Sequence, residues 1–234
     1  MKILAFDTSC STGSVAVCEN KEVLAETFLR SELTHSATLM PMIEQTLLKS
    51  GLSLKQIEGI AVTVGPGSFT GVRIGVSTAK GIADGLGISC YPVSSLLALA
   101  YGLKDHNGLV CPAFDARCEQ VYTALFQAKD GKIIRLTEDR PMPAPGLMNE
   151  LNSMEQPVLF AGDGAEICMK SAEETGLVNA GICNDDVRYI KAGAIAAALV
   201  DENIQPVLPK EIQPVYLRLS QAERQRNERN VKNK

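Results

Sequence analysis

The stretch Gly65–Gly75, GPGSFTGVRIG, joins an apolar run to a segment of helical spacing. A glycine-rich turn in that place can present backbone N–H groups and a helix N-terminus to an anion. Ser68 and Thr70 would add hydroxyl donors, and Arg73 a positive charge. No lysine follows as in a P-loop, and the spacing is not GxGxxG. The same residues equally serve a tight turn that needs glycine for positive φ. Asp7 and Asp115 stand after Ala-Phe at the ends of two apolar runs. Paired acidic strand ends facing a cleft can hold a magnesium–nucleotide complex. Each can instead cap its own turn. The turn after Asp115 contains Arg117 and Glu119 and no glycine, which favours capping there. Asp7, Ser9, Gly65, Gly67 and Arg73 are therefore the candidates for proximity to a nucleotide.

Other chemistry is thinly supplied. The two histidines, His35 and His106, form no HxxxH or HExxH pair, so no metal site is expected. His35 reads as a residue of a helix's first turn. No serine or cysteine lies in a nucleophile-elbow pattern. Seven cysteines show no CxxC spacing and no export signal accompanies them, so they read as free thiols. No self-sufficient active site emerges, and no cofactor of its own is expected.

The segment after the loop carries a second signal. Val72, Val76, Ala79, Ala83 and Leu86 recur at helical spacing. Gly71, Gly75, Gly81 and Gly85 lie along the same helix, each at a cost of about 1 kcal/mol relative to alanine. Gly71 and Gly75 share a face, as do Gly81 and Gly85. Close backbone approach would offset that cost, either within the chain or against another chain.

These residues need a scaffold. Ile3–Phe6, Ser14–Cys18 and Val23–Leu29 read as strands. Thr34 N-caps a helix to about Ser50, stopped by Gly51, with a stripe of Leu39, Met40, Ile43 and Leu47. Pro41 should kink it or delay its start. Gly59–Val64 reads as a strand buried on both faces, and Ile88–Pro92 as the next strand. "AFDTSCSTGSVAV" from Ala5 is then echoed by "AFDARCEQVYTAL" from Ala113. Val158–Ala161, Gly162–Gly164 and Ala165–Thr175 echo the strand, GPG turn and helix of the first half. The pattern predicts two similar α/β lobes, 1–105 and 106–219, joined near Lys104–Gly108. Met142–Gly146, rich in proline, predicts an extended surface loop. Gly193–Val200 is an alanine-rich helix, and Pro214–Leu219 a last apolar segment. Residues 220–234 carry five basic and two acidic residues without periodicity and read as a flexible polar tail.

The 234 residues hold 45% hydrophobic side chains, enough for a substantial core. A net charge of -4 gives no general pull toward nucleic acid or membrane. With no long apolar run, a cytoplasmic protein is expected.

"ILAFDTS", "HSATLMPMI" from His35, "GPGSFTGVRIGVSTAKGIADGL" from Gly65, "FDARCEQVY" from Phe114 and "PVYLR" from Pro214 together resemble the TsaB (YeaZ) family. The matches run in order along nearly the whole chain. The resemblance implies the two-lobed fold of the actin, hexokinase and Hsp70 ATPase group, with duplicated βββαβα-type lobes. It implies a non-catalytic partner of TsaD, which transfers threonylcarbamoyl from threonylcarbamoyl-adenylate to the adenosine following the anticodon of tRNAs that read codons beginning with A. TsaE, a small ATPase, completes the set, and tRNA is met through the complex. ATP and magnesium would sit, if anywhere, at the partner interface. The surface that pairs with TsaD, or with a second copy when TsaD is missing, would comprise His35, Leu39, Met42, Ile43, Gly71, Val72, Gly75, Val76 and Ala79. The two metal-binding histidines of TsaD fall on Ser95 and Leu99 here, neither of which replaces an imidazole. A metallopeptidase reading lacks its ligands for the same reason. The rival reading is an independent ATP-using phosphotransferase or phosphohydrolase of the same fold.

Overall fold

The computed structural model describes residues 1–218. The predicted tail at 220–234 lies outside them. The first sheet contains β1 (Lys2–Asp7), β2 (Thr12–Glu19), β3 (Glu22–Arg30), β4 (Gly59–Thr63) and β5 (Ser89–Val93) in the order β3-β2-β1-β4-β5. β1, β2 and β3 are antiparallel neighbours; β4 and β5 add in parallel. Parallel additions need crossovers. These are α1 (His35–Ser50) and α2 (Phe69–Leu86), and α3 (Ser95–Tyr101) follows β5.

The second sheet repeats this plan with its strands broken. β6 (Gly108–Asp115) pairs along one edge with β11 (Val158–Ala161), which pairs in turn with β12 (Ala180–Ile182). Along its other edge lie β7 (Gln120–Thr123), opposite Ala113–Asp115, and then β8 (Phe126–Lys129), opposite Gly108–Val110. β9 (Lys132–Arg135) pairs with β8, and β10 (Arg140–Pro143) with β7. Two short pieces thus stand where the first sheet has one strand. The helices α4 (Ala144–Asn152), α5 (Ala165–Thr175) and α6 (Ala192–Asp201) occupy the places of α1, α2 and α3. The chain is thus built as a duplicated, two-lobed α/β arrangement.

Strand alternation divides the core into three layers. Leu4 and Phe6 of β1 face outward, where Leu39 and Ile43 of α1 and Val72 and Val76 of α2 cover them. Ile3 and Ala5 face inward, into a central core that also holds α3, α6 and the Val110–Phe114 face of β6. Leu109, Cys111 and Phe160 face out on the far side, under α4 and α5. The central layer is shared. α6, from the second half of the chain, packs on β1 and β2, while α3, from the first half, packs on β6.

α1 begins at His35 and ends at Gly51, whose φ of 70° is left-handed. Pro41 does not delay its start: α1 begins at His35, and Pro41 sits on its exposed face. Met40 is likewise outside, 45% exposed; Met42 takes the buried place. The loop expected at Met142–Gly146 is instead the end of β10 and the first turn of α4. Pro145 sits within that first turn, where a helix needs no N–H from it. Val158–Ala161 and Ala165–Thr175 form β11 and α5 with the expected bounds.

Candidate functional site

A cleft of 630 Å³ opens where the turn after β1 faces the turn after β6. Ser9, Cys10 and Ser11 line one side, with Pro66–Thr70 at the head of α2. Asp115, Arg117 and Asp163 line the other. Of the nucleotide candidates, Ser9 and Gly67 reach this cleft. Asp7, Gly65 and Arg73 are not among its lining residues.

Asp7 is fully buried beneath its own turn. Its carboxylate accepts the Ser9 N–H at 3.0 Å and the Thr63 hydroxyl. Burial pushes its pKa up, against the pull of hydrogen bonds from Ser9 and Thr63. This is the capping arrangement, a short polar side chain fixing the turn that follows it. Asp115 does the same, accepting the Arg117 N–H at 2.6 Å. Asp163 accepts the Asp115 N–H at 3.1 Å, and burial raises its pKa as well. The aspartates are thus engaged by backbone groups and a hydroxyl of the chain itself.

The glycine-rich loop and helix pack inside the chain. The Thr8 hydroxyl donates to the Gly71 carbonyl at 2.8 Å, and the Ser9 carbonyl accepts the Ser68 N–H at 2.7 Å. A Cβ at Gly71 would overlap the Thr8 carbonyl oxygen, and one at Gly75 would lie 2.5 Å from the Thr8 hydroxyl oxygen. The two glycines therefore let α2 lie directly on the β1–β2 turn. Gly65, with φ of 111°, has the Val215 carbonyl against it and supplies the positive φ that the turn needs. Gly81 and Gly85, by contrast, face open space.

This corrects the expected partner surface. Leu39, Met42, Ile43, Gly71, Val72, Gly75, Val76 and Ala79 are all buried within the monomer. They are the inward stripe of α1 and α2, the face that covers the first sheet. A helix has one such stripe, and a partner can reach only the other side. His35 stands at the boundary: its Nε2–H donates to the Cys10 carbonyl at 2.7 Å and ties α1 to the cleft rim. Beyond it runs a groove of 450 Å³ between the two helices, lined by Met40, Phe69, Arg73, Ile74 and Ser77 among others. Arg73 lies over the Phe69 ring at 4.4 Å. These outer residues show no period that sets them apart in the sequence; only the packed helices reveal which side is free.

Ser95 and Leu99 lie on α3 and are fully buried in the central core. Among the described residues no group of three or more His, Cys, Asp or Glu side chains could hold a metal ion. No helix among them is long and apolar enough to cross a membrane.

Fold and site together define a two-lobed α/β protein whose aspartates around the cleft are held by backbone groups of the chain itself. The profile of the TsaD family, tRNA N6-adenosine threonylcarbamoyltransferase, matches residues 22–206. The tRNA threonylcarbamoyladenosine biosynthesis protein TsaB of Bacillus subtilis is 34% identical over 223 residues, 95% of this chain and 96% of that one. Its counterpart in Escherichia coli is 33% identical, over 93% and 95% of the two chains. The structure of YeaZ from Pseudomonas aeruginosa superposes with a TM-score of 0.78 at 25% identity, covering 92% and 99%. The chain belongs to the TsaB family of tRNA threonylcarbamoyladenosine biosynthesis proteins.

Proposed function

We propose that this chain is the non-catalytic scaffold and activating subunit of a tRNA threonylcarbamoyl transferase. It pairs with a TsaD-type transferase through the outer faces of α1 and α2, and a TsaE-type ATPase completes the cytoplasmic complex. Without TsaD the same faces pair two copies. The tRNA is met through the complex, and ATP with magnesium belongs to the partner junction.

One observation carries the reading. The chain matches the transferase family over residues 22–206, and Ser95 and Leu99 are the residues that the resemblance sets where the metal-binding histidines would be. Both are sealed in the core, where no substrate reaches them. A transferase-like scaffold without those ligands supports a subunit role rather than a catalytic one.

Reconstitution tests this. TsaD, TsaE, tRNA and pre-formed threonylcarbamoyl-adenylate are combined with and without this chain, and the modified nucleoside is quantified by mass spectrometry. Product is expected only when the chain is present, and none from the chain with tRNA and the adenylate alone. Equal product without it would overturn the activating role.

A further inference from the structure

After α6 the chain runs back along the first lobe, with Val207 bridged to Cys90 in antiparallel fashion. It then reaches the cleft. The Val215 N–H donates to the Val64 carbonyl at 2.7 Å, at the base of the GPG turn. The Tyr216 ring packs on Phe69 with centroids 4.9 Å apart, at the first residue of α2. These contacts belong to the first lobe. Two residues further on, the Arg218 guanidinium donates to the Ala116 carbonyl and, at 3.4 Å, to the Arg117 carbonyl. Those carbonyls belong to the second lobe, in the turn between β6 and β7.

We propose that Val215–Arg218 is a strap that fixes the opening of the interlobe cleft, with Arg218 as its releasable end. The geometry leaves little slack. An extended chain spans at most about 3.5 Å per residue, so the short run between the two anchors limits how far they can separate. The lobes cannot part further while both ends hold. The two ends differ in kind. The first is a backbone hydrogen bond beside a packed ring pair. The second is one half-buried side chain on two carbonyls, one of which belongs to the solvent-facing Arg117. Charge-assisted bonds of this kind are individually strong but open to competition from water or an anion at the rim. Phe69 also lines the outer groove between α1 and α2, so the strap touches the surface assigned above to the partner. That link rests on the proposed partner surface; the strap itself does not.

Spin labels test the strap directly in the full chain. Cys118, in the second-lobe turn, is exposed, and the six other cysteines are buried. A second label at Ser36→Cys, on the first turn of α1, spans the cleft. Pulsed dipolar spectroscopy should give one narrow distance distribution in the labelled parent. Arg218→Ala should broaden it and shift it to longer distance, and Tyr216→Ala should do the same from the other end. Distributions matching the parent in both variants would overturn the proposal. So would loss of the cooperative unfolding transition in both, because the segment would then be part of the folding core.

Discussion

A single missing Cβ decides how α2 meets the β1–β2 turn. Gly71→Ala should destabilise the chain by about 1–3 kcal/mol, the cost of overpacking, as read from urea unfolding. Gly75→Leu should fail to fold normally for the same reason, since Thr8 and Val62 occupy the space. Gly81→Ala, on the open side of the same helix, should instead stabilise by up to about 1 kcal/mol. A Gly71→Ala chain as stable as the parent would show that the turn yields. The sequence could not separate these glycines, because all four sit at helical spacing and only the tertiary contact tells two from the others. Asp163 offers a second test at this scale. Burial raises its pKa above the unfolded value, so the folded state holds a proton more readily than the unfolded one. Any stabilising contribution from its protonation is complete below the unfolded pKa and is lost as pH rises through the folded one. Asp163→Asn keeps an acceptor for the Asp115 N–H and removes the partly buried charge. It should raise the urea midpoint at about pH 7, and the gain should fade toward about pH 4. A gain of equal size at both pH values would mean that the carboxylate's charge is not what costs stability.

At the level of helices and strands, pattern was a good guide where elements are long. β1 to β5, α1 and α2 follow from alternation, a continuous apolar run and three-to-four spacing. The second lobe was harder to read. Its β7–β10 are pieces of four residues each, too short for a period to show. Pro143 and Pro145 also disguised the junction of β10 and α4 as a loop. The residues named for a partner surface lie on the side of α1 and α2 that the chain itself buries, because apolar periodicity marks the face a helix buries in its own chain. The outer groove gives the prediction for this scale. Met40→Asp and Arg73→Glu should each weaken binding to a TsaD-type partner by tenfold or more, about 1.4 kcal/mol, in calorimetric titration. Both side chains are exposed, so thermal unfolding should stay close to that of the parent. Unchanged affinity in both variants would exclude this groove as the contact.

For the molecule as a whole, the three-layered core sets what solvent can reach. The Cys18 and Cys111 thiols are pushed up to about 12 by burial, and those of Cys90 and Cys183 to about 11. A thiol reacts as its thiolate. One fast-reacting thiol, Cys118, is therefore expected in the native chain, and seven after denaturation. Cys118→Ser should abolish the fast phase; its survival would reveal an opening that exposes the core. The free-thiol reading needed only the cysteine pattern and the lack of an export signal. Which of the seven is exposed needed the turn at Arg117–Glu119, where three successive non-glycine residues adopt positive φ.

The exchange of closing helices between halves has a consequence for how the chain is made. As synthesis proceeds from the N-terminus, the inner side of the first sheet is complete once β5 has left the ribosome. The helix that covers it, α6, is encoded a hundred residues later. Until then Ile3, Ala5, Ala16 and Ala61 have no permanent cover. The nascent first half must wait, or borrow a chaperone, and its first sheet is sealed only when α6 emerges.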